Sequence, residues 1–339
     1  MTGPMPRLRR TRYDVCVLGS FMKDLVASAD RRPLPGETLH GTAFAEFLGG
    51  KGVNQAIAAA RMGARTAIVG TIGADRYGEE FLDLLTTDGV DTGWVVRHPE
   101  LGTGVGLPLV LPDGSNSIII VSRANAAITP ADIEAAGEVL TGSRVLSVQL
   151  ELPVEASRAA LRLASAAGVT TILTPAPVGP VDASLTEYVD ILVPNEVEAA
   201  ALTGLDCDDE SQVPAIARKL ADEWDLRGCV VTLGSRGAFV LDRTAGVELR
   251  VAPHRVATVD TVGAGDAFCG SLAASLAEGA PLTDAVRLAN AAGALSTTVN
   301  GAAASAPGRA EAEDLLGSVL VGGAPETEAS PLAVAPPNP

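Results

Sequence analysis

An α/β fold, with a largely parallel buried sheet and a small separate β-sheet, is predicted for this chain of 339 residues. Three observations predict it. Short Val/Ile-rich runs alternate with Ala/Leu-rich stretches of helical length, the rhythm of βαβ units. Hydrophobic residues make up 47% of the chain but aromatic residues only 3%, so the core must be packed from Ala, Val and Leu. That suits aliphatic strands covered by small-residue helices. Two stretches break the rhythm with Pro/Gly punctuation and a hairpin signal, which marks strands outside the main sheet.

Taken in order, residues 1–12 are expected to be a disordered lead and 13–320 the folded domain. Residues 13–18 predict a buried first strand ending at Gly19-Ser20. The following Phe21 to Val26 leave it near the C-terminal edge of the sheet, where ligands bind in open α/β folds. Pro33, Pro35 and Gly36 break segment 27–47 into short strands. Gly49-Gly50-Lys51-Gly52-Val53-Asn54-Gln55-Ala56 opens a helix through Arg61, stopped by Gly63. It is not a P-loop, because Gly52 follows Lys51 where Ser or Thr is required.

A strand at 66–69 and a helix at 79–85 continue the βαβ unit. Segment 94–122 changes character: apolar runs at 105–111 and 117–121 flank Pro112-Asp113-Gly114-Ser115, a hairpin signal. The alternation then resumes, with helices expected at 130–140, 153–167, 196–202, 212–224, 264–277 and 282–298. Strands are expected at 145–148, 169–173, 191–193, 229–233 and 238–241, with a β-type lead-in at 255–259. No repeat of fixed period occurs. The Gly/Ala/Pro/Glu-rich tail, 321–339, is expected to be disordered.

Lys and Arg total 25 against 41 Asp and Glu, a formal net charge of −16. Such a chain repels nucleic acid and acidic membrane surfaces, so neither is expected as a partner and any nucleotide-phosphate site must be local. Cys16, Cys207, Cys229 and Cys269 show no C-x-x-C spacing and read as reduced core thiols. Three histidines, His40, His98 and His254, make a histidine-rich metal site a poor expectation. The basic residues from Arg7 to Arg12 precede no long apolar segment, so no signal peptide is expected. No apolar run reaches the roughly 18 residues of a membrane span. A cytoplasmic location is the default.

The greatest chemical content lies in Asp260-Thr261-Val262-Gly263-Ala264-Gly265-Asp266, followed by an apolar run from Ala267 to Leu276. Two glycines around one small residue, an acid and then a helix describe a loop feeding a helix N-terminus. The first N–H groups of a helix have no partner within it and carry partial positive charge, so such a terminus binds anions. Only small residues let a bulky oxyanion approach closely. An acid there also starts ordinary helices, so on these residues alone both readings stand.

Together the motifs resemble the ribokinase-like (PfkB) family of sugar kinases, whose C-terminal signature looks like DTVGAGDAF and whose N-terminal signature looks like GGKGVNQA. Family motifs occur in the expected order from Gly19 to Ser305, so the resemblance covers nearly the whole ordered chain. It implies a ribokinase-like three-layer α/β/α sandwich with a small β-sheet lid from about 27–47 and 94–122. It implies a kinase that transfers phosphate from MgATP to the terminal (5-) hydroxyl of a pentose, D-ribose or 2-deoxy-D-ribose. Asp266 would be the catalytic base and Gly263-Ala264-Gly265 the anion hole, which suits a reaction that is mainly positioning and charge neutralisation.

Residue by residue, the resemblance places Asp24, Gly50, Gly52, Asn54 and Glu151 against the sugar. Lys51 would face phosphate or balance acids, and Arg123 to Ala126 would lie near substrate. Asn195 and Glu198, from Pro194-Asn195-Glu196-Val197-Glu198, would sit in the magnesium and phosphate shell, acting indirectly because magnesium keeps most of its waters. Thr232, Gly234, Gly237, Gly265 and Asn290 would serve the nucleotide. Asp260, Ser296 and Ser305, with backbone oxygens of Val262, Val299 and Gly301, would hold a potassium-type ion. The family also implies a homodimer joined through the lid.

Two departures stand out. Ribose-specific members usually carry Asn two residues before the sugar-binding Asp, whereas this chain has Met22, a pattern similar to the deoxyribose-kinase branch. Met cannot hydrogen-bond a hydroxyl, although other groups could still bind ribose. Asn-Pro-Ala-Pro is replaced by Thr174-Pro175-Ala176-Pro177. Rival readings are a kinase of the same fold acting on a nucleoside, hexose or sugar phosphate, or a non-catalytic sugar-binding regulator. Only Lys51 and Arg123 offer charge for a sugar phosphate, and retention of Asp266 with its small-residue turn argues against the regulator.

Overall fold

The computed structural model describes residues 12–179, 181–322 and 330–331. Strand β1 (Val15–Leu18) lies inside the larger sheet and is buried throughout. Its period-two alternation sends Val15 and Val17 into one hydrophobic cluster and Cys16 and Leu18 into another. From β1 the chain enters a second sheet through β2 (Met22–Ser28) and β3 (Ala43–Gly49). Helix α1 (Lys51–Arg61) brings it back, and β4 (Thr66–Gly73) runs parallel to β1.

Helix α2 (Arg76–Thr87) starts at Asp75, whose carboxylate accepts from the Gly78 N–H. It leads to β5 (Asp91–His98), parallel to β4 at the edge of the larger sheet. The hairpin β6 (Gly104–Val110) and β7 (Asn116–Val121) completes the small sheet, in order β3-β2-β6-β7.

Short helices α3 (Pro130–Ala135) and α4 (Gly137–Gly142) precede β8 (Val145–Gln149), α5 (Val154–Ala166) and β9 (Thr170–Thr174). Next come β10 (Ile191–Leu192), α6 (Glu196–Thr203), α7 (Val213–Glu223) and β11 (Gly228–Thr232). Two antiparallel strands, β12 (Ala238–Asp242) and β13 (Val247–Val251), extend the sheet beyond β11. Helices α8 (Ala264–Ala277), α9 (Leu282–Ser296) and α10 (Arg309–Gly322) follow, and β14 (Ser330–Pro331) pairs with β13. The larger sheet is ordered β14-β13-β12-β11-β10-β9-β8-β1-β4-β5.

One cluster joins this sheet to α1, α8 and α9 through Val53, Ile57, Leu272 and Val286. The other joins it to α5 and α7 through Leu161 and Leu220. These are the three expected layers. All four cysteines are buried free thiols.

Several expectations need correction. The small sheet begins at Met22, and residues 94–98 belong to β5 in the larger sheet, so the lid boundaries shift. The helix expected at 130–140 is two, each about one turn and a half long. No strand forms at 255–259. Of the expected lead, residues 1–11 lie outside the described residues. In the expected tail, Val321 and Gly322 finish α10 and Ser330–Pro331 form a strand, while the remainder lies outside the described residues.

Helix α1 makes two bare-backbone contacts. A side chain at Gly52 would collide with the backbone of Gly19, and one at Gly270 of α8 would collide with the Gln55 carbonyl. Missing side chains therefore seat α1 directly on the backbone just after β1 and on α8.

Candidate active site

The close crossing of α1 and α8 brings the two signature motifs together. Gly263, at φ 81, turns the chain into α8, so that Gly265 and Asp266 fall in the first helical turn, where the helix offers their N–H groups no acceptor. Asp266 is buried, and each of its carboxylate oxygens receives an amide: Asn54 Nδ2 donates to Oδ2 at 2.8 Å and Gln55 Nε2 to Oδ1 at 3.1 Å. A cleft of about 180 Å³ opens beside it, lined among others by Lys51, Asn195, Glu198, Thr232, Gly263 and Gly265.

Lys51 supplies the cation of this cleft. Burial acts to lower its pKa, but the surrounding Asp266, Glu151 and Glu198 outweigh it and the net direction is upward. It therefore stays an ammonium. Asn195 and Glu198 form a reciprocal cap on α6: Asn195 Oδ1 accepts from Glu198 N at 2.8 Å, while Glu198 accepts from Asn195 N at 2.9 Å and Nδ2 at 3.0 Å. Burial raises the Glu198 pKa, partly offset by the Asn195 amide and Lys51.

Thr232 ends β11 against this cap, its N–H donating to Pro194 O at 2.9 Å. The turn Gly234 to Gly237 beyond it is braced by Arg236, which pairs with Glu196 and reaches Glu210 at 3.5 Å. Asn290 does not line the cleft; its Nδ2 donates to Ala252 O at 2.8 Å and steadies the strand-to-α8 connection. Below the turn, Asp260 accepts from Val262 N and Gly301 N, both at 3.0 Å, and so ties the loop before α8 to the loop after α9. Ser296 and Ser305, both buried, donate to Gly293 O at 2.8 Å and Ala302 O at 2.9 Å, so each hydroxyl oxygen keeps its acceptor lone pairs.

Asp24, Met22, Gly50 and Glu151 gather around the start of the same helix: Gly50 stands just before the first turn of α1 and packs on the backbone of Ser20 and Met22. Asp24 projects from β2 over Gly49 and Gly106, where any side chain would strike its carboxylate. Burial, and then the charge of Glu151, push its pKa up to about 6. Glu151 accepts from Ser20 Oγ, and from Lys51 N at 3.0 Å. Met22 is buried on the same strand face as Asp24, its sulfur toward Gly104. Lys23 points the opposite way and pairs with Glu46 at 3.0 Å and Glu80 at 2.8 Å, tying the small sheet to α2. Asn125 clamps Phe21 through both backbone groups, at 2.7 and 2.9 Å.

Gln55, Ser147, Gln149 and Cys269 receive no site role in the sequence reading. Ser147 and Gln149 alternate within the apolar run VLSVQ, a pattern that places two polar side chains on one buried face. Cys269 lines the cleft one turn after Asp266; burial pushes its thiol up to about 12, and Thr174 donates to its sulfur at 3.3 Å.

A small-residue helix start with a buried carboxylate, a lysine and a capped glutamate around one cleft defines a phosphotransferase-type site. Residues 12–309 match the pfkB family of carbohydrate kinases, and the chain belongs to that family. It is a sugar kinase that uses ATP. Its relatives include the ribokinase of Bacillus subtilis, 37% identical over 305 residues and covering 89% of this chain and 99% of the relative. The deoxyribokinase of Salmonella typhi is 35% identical over 295 residues, covering 87% and 95%. The fold matches Arabidopsis thaliana ribokinase complexed with ribose and ATP at TM-score 0.82 and 30% identity, covering 89% and 98%. No helix among the described residues is long and apolar enough to cross a membrane.

Proposed function

We propose that the enzyme transfers the γ-phosphoryl group of MgATP to the terminal (5-) hydroxyl of a pentose, D-ribose or 2-deoxy-D-ribose. The observation that carries this is the doubly held carboxylate of Asp266 at the mouth of the α8 amide turn. In that role Asp266 takes the hydroxyl proton as the new bond forms, while the N–H groups from Gly263 to Gly265 hold the charge on the moving phosphoryl oxygens. Lys51 adds a fixed positive charge on the same side.

Sugar recognition falls to Asp24, Asn54, Glu151 and the open backbone at Gly50 and Gly52. Asp24 supports it best: its carboxylate has no hydrogen-bond donor among the described residues, so bound hydroxyls would be its first partners. Thr232, Gly234 and Gly237 cradle the nucleotide, with Asn290 supporting from behind. Magnesium, which neutralises phosphate charge when bound, would be held through water by Glu198 and Asn195, whose side chains are already engaged with each other. A potassium ion would take its oxygens from Asp260, Ser296 and Ser305 and the carbonyls of Val262, Val299 and Gly301. The free serine lone pairs fit that donor set and would order the loop before α8. Free thiols and ATP dependence fit a cytoplasmic enzyme.

The small sheet serves as the lid. Asp24, Gly106 and Ile120 stand in register across β2, β6 and β7 and so share the face above the sugar. Leu107 and Ile119 share the opposite face and are 40% and 65% exposed, and we assign that face to a second copy of this chain.

The test is a sugar panel followed by ADP release. Ribose or 2-deoxyribose should give the highest kcat/KM, and preference for a nucleoside, hexose or sugar phosphate would overturn the reading. Met22→Asn should move the preference toward ribose, because it restores a polar partner.

A further inference from the structure

We infer that Gln55 is a positioning residue for the catalytic carboxylate, locked in place by a buried amide and hydroxyl pair on β8. The inference rests on the assignment of Asp266 as base and goes beyond it. Gln55 Oε1 accepts twice, from Ser147 Oγ at 2.8 Å and from Gln149 Nε2 at 2.6 Å. Its Nε2 is thereby turned toward Asp266 Oδ1, at 3.1 Å. Gln55 and Ser147 are fully buried and Gln149 is 2% exposed.

The logic is geometric. A carboxamide rotated by half a turn would set its oxygen against the carboxylate and its NH₂ against the Gln149 amide, keeping only the Ser147 hydroxyl as a partner it could still use. Two donors from β8 fix the Gln55 oxygen, and the fixed oxygen leaves the Gln55 nitrogen only one direction. Asn54 holds the second carboxylate oxygen, so the plane of the Asp266 carboxylate is set by two amides on adjacent residues of α1. The contact between Gly270 and the Gln55 carbonyl brings the helices close enough for this reach. Both ends of the buried Gln55 carboxamide have partners, which restricts that group to one arrangement.

Positioning and plain structural support make different predictions. Gln55→Met keeps the volume while removing donor and acceptor. In the full chain with MgATP and its pentose, it should lower kcat about ten- to a hundredfold while both KM values stay within about threefold. Gln149→Met does not touch Asp266, yet it releases the carboxamide, so it should lower kcat about three- to tenfold by the same split. In the Gln55→Met background, Gln149→Met should cost nothing further.

Unchanged kcat in Gln55→Met, additive losses in the double variant, or a rise confined to KM would overturn the inference. If Gln55→Met fails to fold, Gln149→Met decides alone, and an unchanged kcat there sinks it. Asp266→Asn is run alongside. Full turnover in that variant removes the base assignment and this inference together, whereas a dead Asp266→Asn beside an active Gln55→Met removes only the inference.

Discussion

The site that forms around the start of α1 has two ends, a proposed phosphate end and a proposed sugar end, and they are built on opposite plans. At the phosphate end, Asp266 and Glu198 are buried, and both, like the exposed Asn195, are already hydrogen-bonded to neighbouring groups. At the sugar end, Asp24 lies half-buried against glycines with its ionisation disfavoured, beneath a sheet whose Ile118 and Ile120 are more than half exposed. The carboxylates of the first end have their partners in the protein, whereas the carboxylate of Asp24 has no hydrogen-bond donor among the described residues. On the proposed reading, chemistry would draw on preorganised groups, while binding would draw on a group whose polar needs are unmet.

Asp266→Asn should break the phosphate end most severely. Turnover should fall about a thousandfold while calorimetry finds pentose affinity nearly unchanged; a large loss of affinity with turnover retained would reverse the assignment of the two ends.

Asp24→Asn should act the other way, raising KM for the pentose about tenfold or more. It should also raise the melting temperature near pH 8. The folded-state pKa is about 6, above the ordinary 3.8, so ionising Asp24 costs the folded protein stability as pH rises through 6. Wild type loses that stability and the Asn variant does not, so the difference should shrink toward zero as pH falls to about 4. A gap that stays constant with pH would show that Asp24 is not the strained group.

Glu198→Gln should shift the magnesium titration several-fold to higher concentration at little cost in sugar KM, and an unmoved titration would remove Glu198 from the phosphate end. Potassium should support faster turnover than sodium, and equal rates would remove the cation loop. The smallest effect on chemistry belongs to Ile119→Glu, which should turn a dimer into a monomer by light scattering while leaving the Asp266 region unaltered. A wild-type monomer would leave the exposed face of the small sheet unexplained.

Local chemistry made much of this legible in the sequence. Helix α8 begins at Ala264 as the GAGD turn requires, and α1, β1 and the β6–β7 hairpin follow from apolar runs bounded by Gly and Asp. Other elements depend on partners far along the chain. Strand β13, with Glu248 and Arg250 in its run, gains its identity from pairing with β12, and Glu248 is matched by Arg218 of α7 at 2.5 Å. Strand β5 is half-polar and exists because β4 offers it an edge. The Gln55 relay needs β8, α1 and α8 at one point, which only packing can supply.

Seated without side chains against Gly19 at Gly52 and on α8 at Gly270, the first turn of helix α1 would act as a rigid gauge between the proposed sugar clamp and the proposed transfer point. An acceptor one carbon too short or too long would hold its hydroxyl off the line of attack, and no local adjustment could bring it back. Length discrimination in this kinase would then be written in two absent methyl groups as much as in any residue that touches the sugar.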